Sequence, residues 1–157
     1  HIAIAPTKNN DRLEWFLEKA TEIGIDEITP IICQNSERKV LKEERMLKII
    51  LSATKQSLKA KVPLLHPCIS LKSFLSKQQQ SSCFIAHCEE GNKKPLHSVV
   101  SANSILLIGP EGDFTNHEID IALKNNYIPI SLGDSRLRTE TAGIVACHTI
   151  ALHHEKL

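Results

Sequence analysis

Short apolar runs alternate with helical patterns along most of the chain, and this alternation limits the possible folds more than any other feature. The strand-like runs are His1–Ala5, Ile28–Cys33, Pro63–Cys68, Cys83–His87, Ser104–Ile108 and Tyr127–Leu132. The helical patterns between and after them are Asp11–Ile23, Lys42–Lys61, Leu71–Lys77, Thr115 to about Asn125, and Thr139–His154. Strands that alternate with helices pair in parallel and carry those helices on the faces of the sheet. The sequence therefore predicts an α/β fold: a mostly parallel sheet with helices on both faces.

Local signals mark several element boundaries. Gly24 follows the first helix as a residue that tolerates left-handed φ. Thr115 and Glu118 form an S/T-x-x-E capping box that opens another helix. We interpret Gln78–Ser82 as a loop and Glu89–Asn103 as mostly loop. No internal repeat or long linker divides the chain, so one domain is expected.

The composition excludes several classes of protein. Hydrophobic residues make up 41% of the chain, which is typical of a globular domain and above the range of disordered segments. The 19 basic and 18 acidic residues leave a net charge of +1, so no global field attracts nucleic acid or a membrane. Apolar runs such as Ile105–Ile108 are far shorter than the roughly 18 residues of a membrane span. Collagen, coiled coil, membrane protein and disordered tail are excluded.

The 5 cysteines are odd in number and include no C-x-x-C pair, which argues against a disulfide framework and the usual zinc spacings. We expect small buried thiols in a reducing cytosol, and hence a cytoplasmic protein. The start of the sequence lacks a basic stretch followed by an apolar core, so no signal peptide is expected. Cys83 and Cys88, with His87 between them, lack further ligands at a matching spacing, and no metal is expected.

The loop Gly109–Thr115, with the sequence GPEGDFT, follows the apolar run Ser104–Ile108. In open α/β sheets, ligands bind beyond the carboxyl ends of the strands, where such loops lie. Its two glycines permit close approach of the backbone to a ligand, and Pro110 stiffens the turn. Glu111 and Asp113 would repel phosphate, but suit a helix N-terminus or a positively charged ligand. An ordinary turn before a capped helix remains the alternative.

A second loop, Leu132–Ala142, carries Arg136 and Arg138 just before a helix, where positive charge opposes the helix dipole. The two arginines cost stability unless they pair with Asp134 or Glu140, or meet an anion. One interpretation is an Arg–Glu bridge that fixes the loop. The other is an arginine presented to a substrate, where it stabilises developing negative charge. The residues alone leave both interpretations open.

The two loops resemble those of a known family. GPEGDFTNHEID and LGDSRLRTETAGIVA are similar to the two signature segments of the RsmE-type 16S ribosomal RNA uracil-N3 methyltransferases, members of the SPOUT superfamily. FLEKATEIGIDEITPI resembles the family's first helix, with Lys19, Glu22 and Gly24 in its positions. The resemblance runs from about Lys8 to the last helix. Asp113 departs from the family, which commonly has glycine at that position.

The resemblance implies a SPOUT methyltransferase domain over residues 1–157, with a trefoil knot formed by the last strands and loops. Family members also carry an N-terminal β-barrel (PUA-like) RNA-binding domain, which we expect to be absent from this chain. The implied cofactor is S-adenosylmethionine, and no metal is needed because the sulfonium already activates the methyl group. The implied cofactor-binding residues are Leu107, Ile108, Gly109, Pro110, Glu111, Gly112, Leu132, Gly133, Leu137, Arg138 and Thr141.

The implied reaction transfers the methyl group to N3 of a specific uridine in 16S ribosomal RNA of the small subunit. Because N3 must lose its proton, negative charge spreads over the flanking carbonyl oxygens. Arg138 is expected to stabilise that charge, and Arg136 to share the task or hold a phosphate. Glu140 is expected to orient an arginine through a bidentate pair. The general base is left open, and His87 either lines the substrate pocket or is a core histidine.

Contact with RNA and with a second subunit is also implied. Between Arg38 and Lys61, eight basic and two acidic residues give a local charge of +6, which suits phosphate contact or, alternatively, a solvated helix face. The last helix carries small apolar residues along one side, and the resemblance implies a homodimer that completes the substrate pocket. The expected RNA-binding residues are Lys55, Lys59, Lys61 and Arg136.

Other functions compete with this one. Another SPOUT RNA methyltransferase with a different target nucleotide would share both loops. A noncatalytic RNA-binding domain would bind RNA without affinity for S-adenosylmethionine. A flavodoxin-like nucleotide binder is a third possibility, which the acidic glycine loop disfavours.

Overall fold

The computed structural model describes residues 1–77, 81–101 and 103–155. Its strands are β1 (Ile2–Ile4), β2 (Glu27–Ile32), β3 (Leu64–Leu65), β4 (Ile69–Ser70), β5 (Ser82–Ala86), β6 (Lys94–Pro95), β7 (Ser104–Ile108) and β8 (Ile128–Ser131). Its helices are α1 (Asn10–Ile23), α2 (Glu43–Gln56), α3 (Leu71–Leu75), α4 (Leu96–Val99), α5 (Asn116–Lys124) and α6 (Thr139–His154). Among the residues described, no helix is both long and apolar enough to cross a membrane.

The strands form one sheet in the order β3-β2-β1-β7-β5-β8-β6, with β4 also paired to β2. Each of the pairings in the described chain is parallel. β1, β5 and β7 carry apolar side chains on both faces, as a parallel sheet covered on both sides requires. The predicted mostly parallel α/β architecture is confirmed.

Two apolar cores lie on opposite faces of the sheet, because successive strand residues point to opposite sides. Ile2 and Ile4 pack with residues of α1, α2, α4 and α6. Ala3 packs on the other face with residues of α3 and α5. Helices therefore cover both faces of the sheet, as predicted.

α6 lies very close to α1. A methyl group built at Gly143 would lie 2.6 Å from the ring of Phe16 and 3.2 Å from Ile4, so the position has no room for a side chain. Gly143 and Ala146 are both buried, and small residues at these positions permit the close approach. The part of the second loop that precedes α6, Leu132–Arg138, is the arginine loop, and the packing of α6 on α1 holds its carboxyl end in place.

The structure differs from the predicted elements in four places. α2 ends at Gln56 rather than Lys61, because Leu58 adopts a left-handed φ of 54°. The single strand predicted at Pro63–Cys68 is two short ones, β3 and β4. β6 and α4 lie within Glu89–Asn103, which was predicted to be mostly loop. Of the loop predicted at Gln78–Ser82, residues 78–80 lie outside the described part of the chain, and Ser82 begins β5.

Candidate functional site

A cavity of about 590 Å³ lies at the carboxyl ends of β5, β7 and β8. Ala86, Ile108 and Ser131, the last residues of these three strands, all contribute to its wall. Ligands of open α/β sheets bind at this edge. Both loops that the sequence singled out meet here, together with a third loop that follows β5.

Asp113 holds the glycine loop, Gly109–Thr115, in a tight turn. This residue has a left-handed φ of 62°, and its backbone N–H donates to the carbonyl oxygen of Pro110 at 2.9 Å. Its carboxylate accepts hydrogen bonds from the backbone N–H groups of Phe114, at 2.8 Å, and Cys88, at 2.6 Å. Asp tolerates left-handed φ better than most residues, which explains how it occupies a position where the resembling family commonly has glycine.

Loops after β1 and β2 support the other side of the same turn. The backbone N–H of Lys8 donates to Glu111 Oε1 at 3.0 Å, and Asn35 Nδ2 donates to the carbonyl oxygen of Gly112 at 3.1 Å. Glu111 itself is exposed and lines the cavity. The turn therefore presents a carboxylate to the cavity while its backbone is fixed by contacts from distant parts of the chain.

The arginine loop forms the opposite wall. Arg136 and Arg138 are exposed and line the cavity, and neither forms an ion pair or side-chain hydrogen bond within residues 1–77, 81–101 and 103–155. Leu132 and Leu137 are half-buried beside them. Two unpaired guanidinium groups next to apolar side chains suit a ligand that is partly apolar and partly anionic.

Glu140 pairs with a different arginine from the one expected. Its buried carboxylate lies 3.8 Å from Nε of Arg12 in α1, and not against Arg136 or Arg138. Glu140 is in the first turn of α6, the helix that packs on α1, so its side chain is directed into that helix interface. The interpretation of the loop as fixed by its own Arg–Glu bridge therefore has no support in the structure, and both loop arginines are free to meet a ligand.

A buried hydrogen bond joins the two loops. The hydroxyl of Thr139 donates to the carbonyl oxygen of Gly109 at 3.0 Å. Gly109 is also confined, since a methyl group there would lie 3.1 Å from the ring of Phe114. The Thr139–Gly109 hydrogen bond thus links the two cavity walls, while the ring of Phe114 confines the backbone at Gly109.

Eight of the expected cofactor-binding residues lie on the cavity wall, and three do not. Leu107 is fully buried in the core on the α3 and α5 face. The Cα of Gly112 faces Asn35, since a methyl group built there would lie 3.2 Å from the Cβ of Asn35. Thr141 is half-buried on α6 and outside the wall. The eight on the wall are Ile108, Gly109, Pro110, Glu111, Leu132, Gly133, Leu137 and Arg138. The role of each residue in binding stays a prediction.

The loop after β5 adds Cys88 and Lys93 to the wall, which were not expected there, and places His87 on the wall rather than in the core, the alternative that the sequence left open. Cys88 is exposed there, His87 is half-buried, and Lys93 Nζ donates to the carbonyl oxygen of His87 at 2.7 Å. Burial, with a smaller effect of Lys93, lowers the pKa of His87, so its imidazole is neutral at pH 7. The start of this loop at Cys88, directly after the predicted strand Cys83–His87, was the signal that could have found Cys88 and Lys93, since loops at this edge converge.

The basic residues between Arg38 and Lys61 do not form one surface. Lys61 pairs with Asp26, at an Nζ–Oδ1 distance of 3.0 Å, near the amino end of β2. Arg38, in contrast, donates to the carbonyl oxygen of Lys8 at 2.7 Å, near the carboxyl end of β1. α2 lies between them and is about 21 Å long, at about 1.5 Å per residue. Lys55, Lys59 and Lys61 therefore lie at the edge of the sheet opposite Arg136 and the cavity.

Comparison with known proteins identifies the family. A family model described as an RNA methyltransferase domain matches residues 1–151. The chain belongs to this family. The RNA methyltransferase domain is 31% identical to the ribosomal RNA small subunit methyltransferase E of Rickettsia conorii, over 96% of this chain and 63% of the relative. It is also 31% identical to the protein of the same name from Bacillus subtilis, over 94% of this chain and 63% of that relative.

Solved structures show the same fold. The domain superposes on a probable rRNA-methyltransferase from Porphyromonas gingivalis with a TM-score of 0.89 and 43% identity, over 98% of this chain and 68% of that one. It superposes on ribosomal RNA small subunit methyltransferase E from Neisseria gonorrhoeae, solved with S-adenosylmethionine, with a TM-score of 0.85 and 28% identity, over 97% and 64%. A TrmH/SpoU tRNA modifying enzyme of Aquifex aeolicus shares the fold at a TM-score of 0.67 and 12% identity. The SPOUT-type fold is confirmed, and the threading of the chain into a knot stays a prediction.

Proposed function

We propose that this domain uses S-adenosylmethionine to methylate N3 of a specific uridine in 16S ribosomal RNA. The observation that carries the proposal is the pair of unpaired arginines, Arg136 and Arg138, on a partly apolar cavity at the carboxyl edge of the sheet. Relatives named ribosomal RNA small subunit methyltransferase E support the substrate, and a neighbouring structure bound to S-adenosylmethionine supports the cofactor. The chain spans about 63% of the length of these two relatives, so the complete activity is part of the proposal.

The wall residues fit S-adenosylmethionine. Ile108, Leu132 and Leu137 supply apolar contacts for the adenine ring. The backbone of the two loops supplies hydrogen-bonding groups for its edge, and Glu111 supplies negative charge toward the sulfonium. When bound, S-adenosylmethionine supplies a methyl group that its sulfonium has already activated, and no metal is required for the transfer.

The side chains of this domain then act on the uracil. Arg138 donates hydrogen bonds to the carbonyl oxygen that gains negative charge as N3 loses its proton, and Arg136 holds a neighbouring phosphate. His87 faces the same cavity as a neutral imidazole, the form in which one ring nitrogen accepts a proton. We assign it the removal of the N3 proton. Glu140 does not contact the uracil; its ion pair with Arg12 fixes the start of α6, and with it the position of the neighbouring Arg138.

Reverse transcription of small-subunit RNA treated with the protein tests the reaction. Methylation at N3 removes a Watson–Crick donor, so extension stops at the modified uridine only when S-adenosylmethionine is present. The Arg138→Ala variant is expected to lose nearly all turnover while affinity for S-adenosylhomocysteine stays within a few-fold. Lys124→Ala, which removes an exposed cation of α5 outside the cavity wall and outside residues 38–61, is the control and is expected to keep full activity.

Several outcomes contradict the proposal. A stop at a different base would indicate another target nucleotide, and RNA binding without affinity for the cofactor would indicate a noncatalytic module. Unchanged single-turnover rates in Arg138→Ala would remove the assignment of that residue.

A homodimer is part of the same proposal. The buried residues of α6 pack on α1, while Val145 and Thr149 on the same helix are half-exposed. A second copy of the chain could pack on these half-exposed residues. Light scattering at micromolar concentration is expected to give the mass of a dimer, and a monomer would contradict it. Such an enzyme would act on ribosomal RNA in the cytoplasm.

Phosphate contact at the far edge of the sheet is tested by salt dependence. Replacing Lys55, Lys59 and Lys61 by Gln is expected to flatten the dependence of RNA affinity on salt, because each phosphate contact releases counterions. An unchanged slope would show that these lysines form a solvated face only.

A further inference from the structure

Three potential metal ligands meet on one face of the sheet, away from the cavity. His1 precedes β1, Glu27 begins β2, and His66 directly follows β3. The three strands are neighbours in the parallel sheet, and the register pairs Ile2 with Ile28 and Glu27 with Leu64. Because side chains alternate between faces, the three ligands share the α3 side of the sheet.

The geometry of this His1–Glu27–His66 cluster is close to that of a coordination sphere. Glu27 Oε2 lies 2.7 Å from His66 Nε2 and 3.8 Å from His1 Nδ1. One ligand atom from each residue lies within 4.8 Å of the other two. The two imidazole rings are stacked, with centroids 5.2 Å apart, and all three residues are half-buried. Ligands bound at about 2.0–2.2 Å to one zinc ion have comparable separations.

The backbone and a neighbouring hydroxyl fix His1 in this position. Its nitrogen donates to the carbonyl oxygen of Ser104, and its carbonyl oxygen accepts from the N–H of Leu106, both at 3.0 Å, so it continues the β1–β7 ladder. Its Nε2 lies 2.8 Å from the buried hydroxyl of Thr29. A histidine that donates from one ring nitrogen to an oxygen has its other nitrogen free for a metal, which is the usual outer-shell arrangement at zinc sites.

We propose that His1, Glu27 and His66 bind one divalent transition-metal ion, zinc being the best match, with water in the fourth position. Two imidazole nitrogens and one carboxylate oxygen are a zinc ligand set. The cysteine spacing predicts no metal, whereas these three ligands are far apart in the sequence and are brought together only by the sheet. The proposed methyl transfer does not use the site, which lies towards the amino ends of the strands.

The metal would stabilise the edge of the sheet at β3. β3 is an edge strand of two residues and pairs with β2 at Glu27 and Ile28 alone. Coordination by His66 would fasten the chain that follows β3 to β2 and to the start of β1.

Titration of the metal-free protein with ZnCl₂ by calorimetry tests the site, with CoCl₂ as a spectroscopic probe. One ion per chain is expected, and the affinity is expected to fall at least about tenfold in His66→Ala and Glu27→Gln, because the loss of even an outer-shell partner costs about 10–100-fold. His97→Ala, which removes an exposed histidine elsewhere, is the matched control and is expected to bind like the unsubstituted chain. A rise in Tm with ZnCl₂ is expected in the unsubstituted chain and in His97→Ala, but not in His66→Ala.

Equal affinity in all three variants, or no binding by the unsubstituted chain at micromolar zinc, would overturn the proposal. Circular dichroism of each metal-free variant separates a lost ligand from a failure to fold. None of these readouts involves methyl transfer, so the metal site and the proposed enzyme activity are tested independently.

Discussion

The hydroxyl of Thr139 donates a hydrogen bond to the carbonyl oxygen of Gly109, 3.0 Å away and buried. Gly109 belongs to the loop after β7, and Thr139 begins α6 directly after the arginine loop. This bond is therefore the direct polar link between the two walls of the cavity. The proposed cofactor site depends on the spacing that it sets.

Thr139→Val removes this hydrogen bond while keeping the shape of the side chain. The carbonyl oxygen of Gly109 then stays buried without its partner, at a cost of about 1–3 kcal/mol. Affinity for S-adenosylhomocysteine is expected to fall by about tenfold, which corresponds to about 1.4 kcal/mol. Thr21→Val is the matched control, since the buried hydroxyl of Thr21 in α1 donates to Leu17 in the preceding turn. Equal affinities in the two variants would show that the bond does not organise the site.

Cys88 is expected to react first with a thiol reagent, and the reaction is expected to slow when S-adenosylhomocysteine is bound. Cys88 is exposed on the cavity wall, whereas Cys33, Cys83 and Cys147 are buried. Burial also raises the pKa of Cys147 to about 11, which keeps its thiol protonated and unreactive at pH 8. Mass spectrometry after limited alkylation measures the order. Alkylation of Cys88 at the same rate with and without the ligand would place the ligand elsewhere.

The stability of the domain is expected to decrease as the pH is lowered through the range just below 6.5. Burial lowers the pKa of His87 from its ordinary value of 6.5, so in this range the unfolded chain binds a proton that the folded chain does not. Denaturant unfolding at several pH values measures the slope. His87→Gln removes the titrating group and is expected to flatten it, while His117→Gln, which changes an exposed histidine, leaves it unchanged. A slope equally steep in His87→Gln would contradict the assignment.

Gly143→Ala is expected to destabilise the domain. Its new methyl group would lie 2.6 Å from the ring of Phe16, and overpacking of this kind costs about 1–3 kcal/mol. The better helix propensity of alanine returns up to about 1 kcal/mol, so a net loss remains. Chemical denaturation measures the difference. A variant as stable as the parent would mean that α1 and α6 can separate at no cost.

The hydrophobic pattern was sufficient to predict the parallel sheet, because β1, β2, β5, β7 and β8 are long enough to show it. β3, β4 and β6 have two residues each, too few for any periodicity, and they are strands because longer neighbours pair with them. The end of α2 at Gln56 depends on the left-handed conformation of Leu58, which no residue type there indicates.

The sequence also predicts the position of the candidate site, but not all of its side-chain contacts. Both loops could be placed at the carboxyl edge from their position after strands, and the structure brings them together there. The partner of Glu140 could not be predicted, because Arg12 reaches it only through the packing of α1 on α6. For the same reason the His1–Glu27–His66 cluster appears only after three strands are aligned in register.

Isothermal calorimetry of this chain with S-adenosylhomocysteine tests the central claim most directly. One binding site per chain with micromolar affinity is expected; Thr139→Val is expected to lose part of this affinity, and Arg138→Ala to keep it within a few-fold. A chain that circular dichroism shows to be folded, yet that gives no heat of binding at millimolar ligand, would contradict the assignment of the cavity to S-adenosylmethionine.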